Sequence, residues 1–155
     1  MGVYNMAAPT CGSDQSMNTS SAGRRDRPPP ARRPRALVID DERSVRMALR
    51  RYLERRGWQV DEAEDGVEGQ RLLEQPEASA YGLIISDLRM PGRTGLELHD
   101  WLAADRPDLF GRLIIATGDV ASPEIRAFIQ RTTRPVLEKP FDLSTLAALV
   151  DEVGM

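Results

Sequence analysis

Leu83-Ile84-Ile85-Ser86 runs without interruption into Asp87-Leu88-Arg89-Met90-Pro91-Gly92. A continuous apolar run, as opposed to an alternating one, suits a strand covered on both faces, and the Pro-Gly pair after it marks a turn. Working outward, the same kind of run recurs at Ala36-Leu37-Val38-Ile39, Gln59-Val60-Asp61-Glu62-Ala63, Leu113-Ile114-Ile115-Ala116 and Val136-Leu137. The intervals between them carry a different period. Val45, Leu49, Tyr52 and Leu53 fall at i, i+4, i+7 and i+8, and Ile125, Phe128 and Ile129 at i, i+3 and i+4, which are helical spacings. Strand and helix therefore alternate along the chain. Intervals of this length are long enough for the crossovers that parallel strands require, so the pattern predicts a doubly wound α/β layer structure.

Punctuation agrees with these boundaries. Gly57 follows the first helical stretch, where a left-handed terminal residue is expected, and Ser122-Pro123 reads as an N-cap with proline in the first turn. Phe141-Asp142 precedes a last helix carrying Leu146, Leu149, Val150 and Val153. The chain has 155 residues and a formal net charge of −3, which fits one domain. The charge is unevenly spread. Residues 1–35 hold six Arg against two Asp, whereas residues 36–155 hold 15 basic against 22 acidic residues, so the folded part is not expected to coat nucleic acid. Residues 1–35, rich in Ser, Asn, Gly and Pro and ending in Arg24-Arg25-Asp26-Arg27-Pro28-Pro29-Pro30-Ala31-Arg32-Arg33-Pro34-Arg35, are expected to be a disordered basic tail, and residues 36–153 the domain. One cysteine, Cys11, makes no internal disulfide, and no run approaches the roughly 18 apolar residues of a membrane span. Met6 stands where a myristoylation signal needs Ser or Thr. A soluble, cytoplasmic protein is expected.

In an open α/β sheet, ligands gather beyond the carboxyl ends of the strands. Here the first run ends in Asp40-Asp41-Glu42, the third in Asp87, the fourth in Thr117-Gly118 and the fifth in Glu138-Lys139-Pro140. Three carboxylates, a hydroxyl and an ammonium are thus expected at one edge. Two carboxylates at about 4 Å repel by roughly 4 kcal/mol at an effective dielectric of 20, so Asp40, Asp41 and Asp87 need a counter-charge. Lys139 supplies one. Hard oxygen ligands with no His or Cys nearby suit Mg²⁺, or Mn²⁺, and disfavour zinc. A carboxylate beside such an ion and a lysine is placed to attack a phosphoryl group, because both cations neutralise the charge on its oxygens.

Residues 36 to about 153 resemble a response-regulator receiver domain, the phosphoacceptor of two-component and phosphorelay signalling. The resemblance rests on Val38-Ile39-Asp40-Asp41, Ser86-Asp87-Leu88-Arg89-Met90-Pro91-Gly92, Ala116-Thr117-Gly118 and Glu138-Lys139-Pro140-Phe141, in that order. It implies a flavodoxin-like five-stranded parallel sheet in the order 2-1-3-4-5 with five helices. It also implies that Asp87 accepts a phosphoryl group from a sensor histidine kinase or a histidine phosphotransfer protein. Asp40 and Asp41 match the acidic pair that holds Mg²⁺ with Asp87, Asp41 as a direct ligand, and the backbone carbonyl of Arg89 completes the protein's share. Lys139 matches the lysine that pairs with the phosphoryl group, followed by a cis bond to Pro140, and Thr117 the hydroxyl that moves toward it. The loop Thr117-Gly118-Asp119-Val120 and the segment Lys139-Pro140-Phe141-Asp142 are similar to receivers of hybrid histidine kinases.

Two positions depart from the family pattern. The switch aromatic of the family falls on Val136, so an aromatic flip is not the readout, and the signal is expected to pass through the Thr117 loop and helix packing. Arg89, two residues after Asp87, faces Asp119, two after Thr117, and an ion pair between them is expected to shield the acyl phosphate from water. The implied role is a signalling module, not an enzyme beyond self-phosphorylation from small donors and autodephosphorylation, with an unknown downstream protein as target and no direct DNA binding, since no helix-turn-helix segment follows. The alternative from another class is a haloacid-dehalogenase-like phosphohydrolase, which needs an aspartate where Arg89 stands; a dinucleotide-binding domain lacks its glycine-rich loop. His99 and the basic streak Arg43, Arg46, Arg50 and Arg51 are read as solvated, and Trp58 and Trp101 as packing at helix edges.

Overall fold

The structure, a computed structural model, describes residues 32–90 and 92–154. The elements run β1 (Arg35–Ile39), α1 (Arg43–Arg55), β2 (Gln59–Ala63), α2 (Gly66–Glu74), a 3₁₀ turn (Pro76–Ala80), β3 (Tyr81–Asp87), α3 (Gly95–Asp105), a one-turn helix (Pro107–Phe110), β4 (Leu113–Thr117), α4 (Pro123–Arg131), β5 (Val136–Glu138) and α5 (Leu143–Val153). The strands form one sheet in the order β2-β1-β3-β4-β5, and every pairing is parallel. This is the flavodoxin-like topology that the motif resemblance implies. Residues 1–31, which include most of the expected tail and Cys11, lie outside the described residues, as does Pro91. Arg35, placed in the tail by sequence, is the first residue of β1.

The apolar runs are continuous because each strand feeds two cores. Leu37, Ile39, Ile84, Leu113 and Ile115 point to one face, with Leu73 of α2, Leu98 and Leu102 of α3, and Ile125 and Phe128 of α4. Ala36, Val38, Leu83, Ile85, Ile114 and Ala116 point to the other, where Leu49 and Leu53 of α1 and Leu146 and Val150 of α5 cover them. Each fully buried Leu or Ile contributes on the order of 1.5–3 kcal/mol. Side-chain caps fix where helices begin: Asp65, Thr94, Ser122 and Asp142 accept the N–H of Glu68, Glu97, Ile125 and Thr145. Gly57 ends α1 at φ +92°, with the N–H of Trp58 returning to the carbonyl of Leu53 and that of Gly57 to Glu54.

Two side chains that sequence left solvated, His99 and Arg46, have turned inward, and Trp58, read as packing at a helix edge, is buried. His99 is 5% exposed on α3, with Nδ1 2.8 Å from Asp100 Oδ1, Nε2 2.8 Å from Thr132 Oγ1, and its ring edge-on to Phe110 and Phe128. Its burial is inexpensive because both ring nitrogens have partners. Trp58 lies within the core under α1 and α5, whereas Trp101 only packs against the opposite core. Of the basic streak, Arg43, Arg50 and Arg51 are exposed, but Arg46 has turned inward, its side chain 12% exposed.

At the amino ends of β1 and β3, Arg35 and Tyr81 both bond Asp61 Oδ2, at 2.5 and 2.7 Å. Burial alone would raise the Asp61 carboxyl, but the Tyr81 hydroxyl and the Arg35 guanidinium outweigh it and hold it below its ordinary value. A carboxyl depressed by folding contributes stability above its unfolded pKa, near 3.9, and loses it as pH falls through the lower folded value. Asp61→Asn is therefore expected to cost about 1 kcal/mol near neutral pH, small because the pair is partly exposed, and to cost less as pH drops below about 3. Urea unfolding at the two pH values measures this; an equal loss at both would show that the charge of Asp61 has no part in it.

Candidate functional site

Parallel strands bring their carboxyl ends to one edge, and that edge collects the residues singled out in the sequence. Asp40 and Asp41 follow β1, Asp87 closes β3, Thr117 closes β4 and Lys139 follows β5. Asp40 is 1% exposed and Asp87 6%, while Asp41 is exposed. One carboxylate oxygen from each of Asp40, Asp41 and Asp87 lies within 4.8 Å of the others. Lys139 Nζ reaches between two of them, donating to Asp40 Oδ2 at 2.6 Å and standing 3.4 Å from Asp87 Oδ2. The Lys139–Pro140 bond is cis. The backbone of Lys139 is anchored by its N–H to the carbonyl of Thr117, at 2.8 Å.

Two local features set Asp87 in place. Asp87 pairs in register with Ala116 of β4, and α3 begins directly against it: a Cβ on Gly95 would collide with the carbonyl of Asp87 and the Cα of Leu88. Only glycine permits this approach. Burial pushes the Asp87 carboxyl above its ordinary value and the charge of Asp40 adds to the push, against the opposing pull of Lys139. For Lys139, burial alone would lower the ammonium, but the hydrogen bond to Asp40 and the charges of Asp87 and Asp40 together hold it above its ordinary value. Two buried acids flanking one ammonium leave the cluster one negative charge in excess, before exposed Asp41 is counted. Oxygen donors with a surplus of negative charge are what Mg²⁺ or Mn²⁺ takes, so the residues present fit such an ion.

Thr117 is buried, and its hydroxyl is engaged within its own loop, accepting the N–H of Asp119 at 3.1 Å and donating to the Asp119 carbonyl at 3.3 Å. The hydroxyl makes no hydrogen bond to Asp87 or Lys139 among the described residues. Arg89 and Asp119 form the ion pair that their positions suggested, Nη2 to Oδ2 at 2.5 Å. The other oxygen of Asp119 accepts the N–H groups of Ala121 and Ser122, which, with Arg89, hold its carboxyl below the usual range. Beside this pair an open cleft of about 560 Å³ is lined by Asp41, Arg89, Met90, Leu96, Glu124 and Ile125, among others. Val136 is half-buried and paired with Ile115.

Sequence reasoning missed Arg46. Its Nη1 donates to the carbonyl of Asp40 at 2.7 Å, and its Nε lies 3.4 Å from Glu62 Oε1 on β2. The sequence does carry a signal for it, since Arg46 sits three residues before buried Leu49 and next to half-buried Val45, on the inward side of α1.

A family model described as the response regulator receiver domain matches residues 36–151. The chain belongs to the response-regulator receiver family. It is 36% identical over 114 residues to the response regulator MprA of Mycobacterium sp. (strain KMS), an alignment spanning 74% of this chain and 47% of that one. To the transcriptional regulatory protein ResD of Bacillus subtilis (strain 168) it is 48% identical over 62 residues, 40% of this chain and 25% of the relative. The chain thus spans about half the length, or less, of these curated relatives. Among solved structures, a response regulator receiver protein from Pseudomonas putida superposes with a TM-score of 0.67 at 33% identity, covering 79% of this chain and 98% of the other. The chemotaxis response regulator CheY4 of Vibrio cholerae gives 0.66 at 26% identity, covering 79% and 99%. Receiver domains are signalling modules, and among the described residues no helix is long and apolar enough to cross a membrane.

The ammonium between two buried acids makes a measurable demand on stability. Lys139→Met leaves Asp40 and Asp87 uncompensated, and is expected to lower the unfolding free energy in metal-free buffer by about 3 kcal/mol, the range for breaking a buried ion pair. Adding Asp40→Asn is expected to restore part of it. A loss under about 1 kcal/mol in the single variant would show that the acids do not depend on the ammonium.

Proposed function

We propose that residues 36–153 form a phosphoacceptor unit in which Asp87 takes a phosphoryl group from a histidine kinase or a histidine phosphotransfer protein, in a Mg²⁺-dependent reaction. The observation that carries this reading is the position of Lys139 Nζ, bonded to Asp40 and 3.4 Å from Asp87, beside three mutually close carboxylates. An oxygen of Asp87 forms the new bond to phosphorus as the phosphorus–nitrogen bond of the donor breaks. Lys139 supplies positive charge to the transferred group without a change of protonation, since its acidic neighbours keep it charged. Asp40, Asp41, Asp87 and the backbone carbonyl of Arg89 would hold the metal, and the charge it supplies when bound neutralises the phosphoryl oxygens. Thr117 stands one strand away from Asp87, and its hydroxyl must leave Asp119 to bond the phosphoryl group.

The module then acts through a partner or passes the phosphoryl group onward, and a kinase donor makes the cytoplasm its site of action. Direct DNA binding is no part of this reading. The chain is expected to gain one phosphoryl group from acetyl phosphate with Mg²⁺, detected by intact mass, and Asp87→Asn to gain none. Incorporation that survives this substitution would overturn the assignment.

The Arg89–Asp119 pair spans the two loops that flank the acceptor. In this position it hinders water from reaching the acyl phosphate. Arg89→Ala is expected to shorten the lifetime of the phosphorylated chain several-fold, followed as the decay of labelled protein after donor removal; an unchanged lifetime would remove the pair from this role.

A further inference from the structure

Every polar atom of Asp40 is engaged. Its N–H donates to the carbonyl of Ala63 at 3.1 Å, Oδ1 accepts the N–H of Glu42 at 2.9 Å, and Oδ2 accepts Lys139 Nζ at 2.6 Å. Its carbonyl accepts Arg46 Nη1 at 2.7 Å. The first three contacts come from strand pairing, a turn and the site itself. The fourth comes from α1, from a side chain that the proposed reaction does not use. Arg46 is held in turn by Glu62, whose Oε1 lies 3.4 Å from its Nε and whose Oε2 accepts Arg50 Nη1 at 2.6 Å. Glu62 stands beside Val38 in the β1–β2 register, two residues before Asp40. The guanidinium, carried on α1, is therefore held by Glu62 of β2 and aimed at the end of β1.

The carbonyl that it holds belongs to the peptide unit joining Asp40 to Asp41. Because that unit is planar, fixing the direction of its C=O also fixes the nitrogen and Cα of Asp41. Asp41 is the exposed member of the acid cluster, and its side chain has no hydrogen bond within the described residues that would orient it otherwise. We propose that Arg46, braced by Glu62, is a positioning residue for the cation site: it sets the Asp40–Asp41 peptide so that the Asp41 carboxylate meets those of Asp40 and Asp87. This rests on the reading of those three acids as Mg²⁺ ligands. Arg46 touches neither the cation nor the phosphoryl group.

Charge and geometry predict opposite signs, which makes the role testable. A guanidinium near an acid cluster repels a divalent cation, so on Coulomb grounds alone its removal tightens Mg²⁺ binding. If Arg46 positions the ligands, its removal weakens binding, on the order of tenfold as for outer partners of metal ligands. The measurement is isothermal titration calorimetry of the full chain with MgCl₂ alone, on Arg46→Ala, Arg46→Lys and Arg50→Ala. Arg50 shares the helix, the charge and the Glu62 partner but does not contact Asp40, so its variant reports charge alone. Expected are a loss of about tenfold for Arg46→Ala, a smaller loss for Arg46→Lys, which keeps the charge but cannot grip both partners, and unchanged or tighter binding for Arg50→Ala. In metal-free buffer, the amides of Asp41 and Glu42 are expected to exchange faster in Arg46→Ala than in Arg50→Ala.

Binding by Arg46→Ala that is as tight as in the unsubstituted chain, or weakened no more than in Arg50→Ala, overturns the proposal. Should Arg46→Ala fail to fold, an affinity of Arg46→Lys equal to that of the unsubstituted chain overturns it. Absence of Mg²⁺ binding by the unsubstituted chain instead overturns the metal site itself, and this role with it.

Discussion

One ammonium between two buried carboxylates is the constraint on which the rest depends. Lys139 lies just past the last strand and Asp40 just past the first, 99 residues apart in the chain. Their contact closes only when all the intervening crossovers have packed. Burial disfavours the charge of Asp87, and it would disfavour that of Lys139 without the acids beside it. The two unfavourable burials offset one another, and what remains is an acidic surplus at the open end of the sheet.

The topology supplies this arrangement with few adjustments. In a parallel sheet every strand exits at the same edge, so residues just past β1, β3, β4 and β5 are neighbours whatever their separation in sequence. The two-sided burial of β1, β3 and β4 makes that edge rigid, since a one-residue slip would exchange the residues of the two cores. Gly95 adds the finer placement: α3 can start close enough to the end of β3 to form the hydrogen bond from its own N–H to Leu88, 2.9 Å, and so hold the loop beyond Asp87.

Strands, crossovers and the acidic edge were legible because they follow from periodicity and strand ends, which are properties of short windows. The strand order came from resemblance. Patterning fixes that strands are parallel but not which lie side by side. What stayed hidden depended on partners distant in sequence. His99 lies between Leu98 and Asp100 and reads as surface, yet Gly95, Leu98, His99 and Leu102 share one buried stripe, and Thr132 across α4 makes the burial affordable. Arg46 likewise reads as one of four exposed arginines until β2 delivers Glu62 and β1 turns the Asp40 carbonyl toward it. In both cases the environment of the side chain was assembled by another element.

Val136 and the Thr117 loop show how the same edge connects to the rest of the domain. An aliphatic side chain that packs beside the core and has no polar end cannot exchange a buried for an exposed position in the way a tyrosine can. Thr117 has what Val136 lacks. Its hydroxyl holds Asp119 at the backbone, and the Asp119 side chain holds both Arg89, beyond the acceptor strand, and the N–H groups leading to the Ser122 cap of α4. A displacement of that hydroxyl toward a group on Asp87 would break the Asp119 turn, and with it the start of α4. The far end of α4 is held by His99 on Thr132, and its beginning by the Ser122 cap. The Thr117 hydroxyl is thus linked to the start of α4 by hydrogen bonds through one loop, with no aromatic side chain among them.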